Sequence, residues 1–195
     1  MPAVLRALSG AVAVNCLSNL KQLGMAFLLY SESHAGYLPH EDYGSAEPPF
    51  EQCWYQVLDD YLDAEPKHRA KQDPKYMGLH SADIEKLGFS FKMNSRLEDY
   101  KGKRRQPSPP FRRLSSLESP QATVLLFDGH CDKNPYLRQS YGMYTSVIGR
   151  HDGRAGLLFG DGQCKQVTGI SGDGDTWSGP GGFIWDPDSP VEQQE

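Results

Sequence analysis

Five residues in the second half of the chain could hold a metal or move a proton: Asp128, His130, Asp132, His151 and Asp161. Histidines and carboxylates are common ligands of catalytic metal ions and common general acids and bases. Asp128-Gly129-His130 follows the apolar run ATVLLFD (122–128), and residues just past a strand often carry function. One reading is therefore a soluble metal-dependent hydrolase using Asp128, His130 and His151. Spacing argues against the wider set. His151 and Asp161 flank a strand of about five residues, roughly 17 Å at ~3.3 Å per residue. They stand at opposite ends of it, unsuited to sharing an ion. The expected role of His151 is to order the preceding loop, and that of Asp161-Gly162 to make a turn. No GxSxG, HExxH or P-loop pattern occurs, so no catalytic residue is assigned.

Calcium takes several oxygens on a flexible loop, which makes Asp173 and Asp175 in the stretch GISGDGDTWSGPGG (169–182) candidate ligands. Two carboxylates fall short of a full set, and the EF-hand pattern is absent. No other cofactor is expected. Four cysteines, Cys16, Cys53, Cys131 and Cys164, have no CxxC spacing, which excludes a zinc ribbon or a thioredoxin motif. One disulfide or a set of buried thiols remains, and buried thiols are the expectation.

The elements that must position these residues begin with a helix. Leu8, Val12, Cys16, Leu20, Leu23, Phe27 and Tyr30 recur every three or four residues as one continuous stripe. Pro2 suits a first helical turn, and Ser33, His34, Gly36 and Pro39 close the segment. A helix over about 3–32 is ~45 Å long at ~1.5 Å per residue, so part of it is expected to project from the domain. Trp54, Val57, Leu58, Tyr61 and Leu62 mark a second, short helix. FSFKMN (89–94) alternates as a strand, 122–128 is a buried strand, and AGLLFGDGQCKQVT (155–168) is two strands about Asp161-Gly162, a favoured hairpin dipeptide. The fold class is α+β: a long N-terminal helix on an antiparallel sheet, with an irregular tail. The chain divides into a spine helix (1–33), a globular head (34–168) and a Gly-rich acidic tail (169–195).

Composition narrows the function. Apolar residues make up 38% and charged residues 23%, which fits a globular core. A net charge of −5 does not point to nucleic acid. The loop KGKRRQPSPPFRR (101–113) has six basic residues and three prolines but a single aromatic, Phe111, and reads as a solvated loop. It could also meet the acidic tail of a neighbouring subunit. No stretch reaches ~18 uninterrupted apolar residues, so no membrane span is expected by that test. MPAVLRALSGAVAV (1–14) is a poor signal peptide.

Three blocks, in order, carry a resemblance. CLSNLKQLGMAFLLYSESHAGYLP resembles the helix-to-head junction of prepilin-type proteins abundant in planctomycetes and related bacteria. SPQATVLLFDG resembles their central strand. RHDGRAGLLFGDGQCKQV resembles their closing element, with His151, nine residues, then Asp161-Gly162. That spacing is the motif of the prepilin-type processing-associated H-X9-DG family. The family's Asp-Gly-His turn is Asp-Gly-Gln here, at 161–163, and 63–88 and the region after 169 fit poorly. The usual basic leader, peptidase site and apolar run do not occur, and residues 1–19 resemble the segment just past that run.

The resemblance implies a non-enzymatic, pseudopilin-like subunit of a type II secretion or type IV pilus-like apparatus. Leu20 to Tyr30 would pack under the head's own sheet. Val4, Leu5, Leu8, Ala11 and Val12 would pack against other pilin-like subunits or a second copy, or continue into the membrane. Location in the cell envelope, at the inner membrane or facing the periplasm, is implied if an anchor lies upstream.

Overall fold

In the computed structural model of the chain, α1 runs unbroken from Pro2 to Ser33. The structure describes residues 2–40, 53–63, 70–71, 90–97, 112–129, 141–142, 144–168 and 182–188, with side chains left out at 2–7, 141 and 145. His130, Cys131, Asp132, Asp173, Asp175 and most of the basic loop lie outside these residues, as do the side chains of Val4 and Leu5.

The helical stripe dictates how α1 packs. Cys16, Leu20, Leu23 and Phe27 are buried on one line, and Ala26 beside them is buried too. The chain leaves the helix through two left-handed residues, Ala35 (φ 54°) and Gly36 (φ 85°). The Gly36 N–H reaches back to the Ser31 carbonyl at 2.7 Å. This satisfies one of the orphan carbonyls of the last turn.

The sheet follows. Its strands are β1 (Phe91–Asn94), β2 (Val124–Asp128), β3 (Tyr141–Gly142), β4 (Arg154–Phe159) and β5 (Cys164–Thr168), in the order β3-β1-β2-β4-β5. The β1–β2, β2–β4 and β4–β5 pairs are antiparallel, and two-residue β3 adds a parallel edge to β1. Together these elements make the α+β arrangement of a long helix on an antiparallel sheet. Successive strand residues point to opposite faces. In β4, Gly156 and Leu158 therefore face α1, while Ala155, Leu157 and Phe159 face away into a second cluster. A bulge between Val124 and Leu126 resets the alternation in β2.

Both faces of the sheet are covered, so β1 and β2 are buried along their whole length. The one-faced alternation expected over 89–94 gives way to a strand buried on both sides. The cover on the far face comes from the tail: Trp185 packs edge-on against Phe127 at 5.3 Å, and Phe183 lies 5.3 Å from Phe159. Thr123 and Ile184 pair as a parallel bridge. Residues 182–188 thus belong with the head rather than with a separate tail, because Phe183, Ile184 and Trp185 are apolar and the exposed sheet face needs a cover. The second helix is shorter than its apolar pattern implied: α2 spans Trp54–Val57 and tightens into a 3-10 turn at Leu58–Tyr61.

By length and composition, the Leu8–Ser33 part of α1 is apolar enough to cross a membrane. An uninterrupted apolar run is too strict a test for this segment, because Lys21 and Glu32 punctuate a stretch that is apolar on average. A core helix lying on a sheet has the same composition, and the buried line of α1 is such a core face.

His40 joins the loop after α1 to the start of α2, pairing with Cys53 as a bridge and accepting the Trp54 N–H at 2.8 Å. Burial pushes its imidazole down from 6.5 to about 4. The folded chain therefore keeps His40 neutral where the unfolded chain already binds a proton. Its contribution to stability is whole above pH 6.5 and drains away as pH falls from 6.5 towards about 4. Urea midpoints followed across that window should fall, and the fall should be shallower in His40→Gln. Parallel slopes for the two proteins would show that His40 does not drive the acid loss.

Candidate functional site

Asp128 ends β2 on the face that α1 covers. Its carboxylate is fully buried, and a buried carboxylate needs charge and hydrogen-bond partners. Four residues from three parts of the fold supply them. The Gly156 N–H of β4 donates to Oδ2 at 2.6 Å. Arg150 Nη1 lies 3.4 Å from Oδ1. The Cys16 thiol of α1 lies 3.6 and 3.7 Å from the two oxygens. His151 Nε2 lies 3.9 Å from Oδ2. Arg150 also donates to the Ser90 carbonyl at 3.3 Å and to the Gly129 carbonyl. One carboxylate thus joins the helix, the central strand, its neighbour and the preceding loop.

The loop that delivers Arg150 and His151 is held at both ends. Ile148 N–H donates to the Asp128 carbonyl at 2.9 Å. His151 and Arg154 exchange backbone hydrogen bonds, at 3.0 and 3.2 Å, around Asp152 (φ 55°) and Gly153 (φ 76°). Positive φ at both central residues is the type I′ hairpin turn, which favours Asp-Gly. The tight two-residue turn is therefore at Asp152-Gly153. At Asp161-Gly162 only Gly162 is left-handed (φ 79°), with its N–H bonded to the Phe159 carbonyl at 2.9 Å. The Asp161 side chain accepts the Gln163 N–H at 2.9 Å. This is the three-residue loop with a bulge glycine rather than a two-residue turn.

Glycine is required where α1 approaches most closely. A Cβ on Gly156 would stand 2.5 Å from Leu20 Cδ1 and 3.3 Å from Asp128 Oδ2. A Cβ on Gly24 would stand 2.8 Å from Leu158 Cδ1 and 3.2 Å from the Gly162 carbonyl oxygen. Gly24 therefore serves close helix–hairpin contact, while Gly10 meets nothing nearby.

The expected chemistry divides accordingly. Asp128 and His151 come together, whereas His151 and Asp161 sit beyond opposite ends of β4. Cys16, Asp128 and His151 are 0%, 0% and 1% exposed, so no substrate reaches the trio while α1 is docked. Sequence reasoning missed Cys16 and Arg150 as partners. The position of Cys16 on the buried stripe was the available signal. Cys16, Cys53 and Cys164 are thiols rather than halves of a disulfide. Burial pushes the Cys164 thiol up to about 12, with Lys21 pulling it down and Asp161 pushing it up. A thiol held that high is a poor nucleophile at neutral pH.

No protein-family model, curated protein or solved structure matches the chain.

Proposed function

We propose that this chain is a non-enzymatic, pseudopilin-like subunit of a type II secretion or type IV pilus-like apparatus, assembling through α1 with other pilin-like subunits or copies of itself. One observation carries the reading. A single helix of 32 residues, about 48 Å long, buries one face on its own sheet and leaves apolar side chains on the remainder. Val14 is 66% exposed and Met25 is 59% exposed, with Leu8 and Leu29 also exposed. Ala11 is exposed and Val12 half-buried. Apolar surface in water is a cost of about 25 cal/mol per Å2, which association relieves.

The head reaches further along α1 than the stripe alone implied. Gln166 Nε2 donates to the Ala13 carbonyl at 3.2 Å, and Ser9 Oγ donates to Asp152 at 2.8 Å. Among the described side chains, the surface open to a neighbour is thus the outward face of α1 that carries Leu8, Val14, Met25 and Leu29, rather than every side of the helix.

The competing hydrolase built on Asp128, His130 and His151 draws support from the approach of Asp128 to His151, and its difficulty is their burial.

Sedimentation tests the assembly reading. The chain should self-associate with rising concentration, and Leu8→Glu combined with Val14→Glu should weaken association at least about tenfold. Loss of one buried aliphatic contact is worth ~1.5–3 kcal/mol and tenfold is about 1.4 kcal/mol. Both residues are exposed, so the fold should survive. A wild-type chain that stays monomeric at all concentrations would sink the self-association argument. Ester or phosphate turnover that His151→Ala abolishes would favour the hydrolase instead.

A further inference from the structure

The buried trio of Cys16, Asp128 and His151 lies under α1, away from the outward face proposed for assembly, so its role is independent of that assembly. These side chains arrive from α1, from the end of β2 and from the loop before β4, and one ligand atom from each lies within 4.8 Å of the other two. We propose that they form a structural site for a zinc-like divalent transition ion that fastens α1 to the sheet.

Geometry and chemistry both support this. Zinc binds sulfur, nitrogen and oxygen at about 2.0–2.3 Å, and tetrahedral placement sets those ligand atoms roughly 3.3–3.8 Å apart. Cys16 Sγ is 3.6 and 3.7 Å from the Asp128 oxygens, and His151 Nε2 is 3.9 Å from Oδ2. All three ligand atoms lie within 4.8 Å of one another, and binding would draw them in through rotation of the His151 side chain. A thiolate and an imidazole select a borderline-soft ion over calcium or magnesium, which prefer oxygen.

The surroundings match a ligating carboxylate, which is ordinarily held by further hydrogen bonds. Gly156 N–H holds Oδ2 and Arg150 holds Oδ1. The ion's two positive charges balance the Asp128 carboxylate and the Cys16 thiolate, whose proton is released on binding. Arg150 spreads its own charge over Asp128 and the Ser90 and Gly129 carbonyls. The three side chains, all buried, supply three of the four ligands of a tetrahedral zinc, and the fourth position would fall to a water.

The experiment uses the full chain, reduced and stripped of metal. Cobalt(II) should produce a thiolate-to-metal charge-transfer band and visible bands of tetrahedral intensity. Cys16→Ser should lose the charge-transfer band, and Cys164→Ser should keep it. A second measurement needs no variant: zinc should slow alkylation of Cys16 at least tenfold, read by peptide mass spectrometry, and leave alkylation of Cys164 unchanged. This arm decides the matter if Cys16→Ser does not fold. The proposal is overturned if folded wild-type protein gives no charge-transfer band, if the band survives in Cys16→Ser, or if zinc leaves the alkylation of Cys16 unaltered.

Discussion

Replacing Asp128 by Ala should destabilise the metal-free chain by about 3–5 kcal/mol, the usual result of removing one partner from a buried ion pair. The reason is local. The Arg150 side chain is 7% exposed, so its charge cannot turn to water when the carboxylate goes. The Gly156 N–H loses its acceptor at the same time, and a buried donor without an acceptor costs about 1–3 kcal/mol. Asp128→Asn separates the two effects, because the amide oxygen still accepts from Gly156 while the charge is lost. Its loss should be smaller than that of Asp128→Ala, and Arg150→Met in the Asp128→Asn background should recover part of it. Urea unfolding of the four proteins measures this. Equal, near-zero losses would show that Asp128 does not hold the helix to the sheet.

Phe27→Ala should cost about 3–5 kcal/mol, the range for removing a buried aromatic ring. Phe27 is almost wholly buried and stacks on Trp54 with ring centroids 6.4 Å apart. It is the side chain through which α1 grips α2 as well as the sheet. For a chain of this length the loss corresponds to a fall in melting temperature of roughly 10 °C. Met25→Ala, on the exposed face nearby, should be near neutral and serves as the control. A neutral Phe27→Ala would mean that α1 buries a different face.

How much of the fold was legible in the sequence depends on the range of the interaction concerned. The helix and its buried line are repeats with a period near 3.6, and Leu20, Leu23 and Phe27 could be placed in the core from spacing alone. The strands at 122–128 and 155–168 were equally visible, because β-branched and apolar runs between turn residues are a local signal. Turn type was less so. Asp152-Gly153 and Asp161-Gly162 are the same dipeptide, yet only the first has both residues at positive φ. The pairing of the flanking segments selects between the two turns, and pairing is a property of two segments at once.

What the sequence by itself determined is therefore the long helix, the four longer strands, the α+β class and the face that α1 turns inward. The tertiary structure alone decided which polar residues meet. Cys16 and Asp128 are 112 residues apart in the chain, and Asp128 and Gly156 are 28 apart. No periodicity links positions so distant; they meet because the strand order puts β2 beside β4 and because Gly156, with no side chain, lets α1 close over both. The cover on the far face was hidden for the same reason. Phe183 and Trp185 sit in a glycine- and acid-rich segment that reads as irregular, and only a sheet face in need of burial gives them a place in the core.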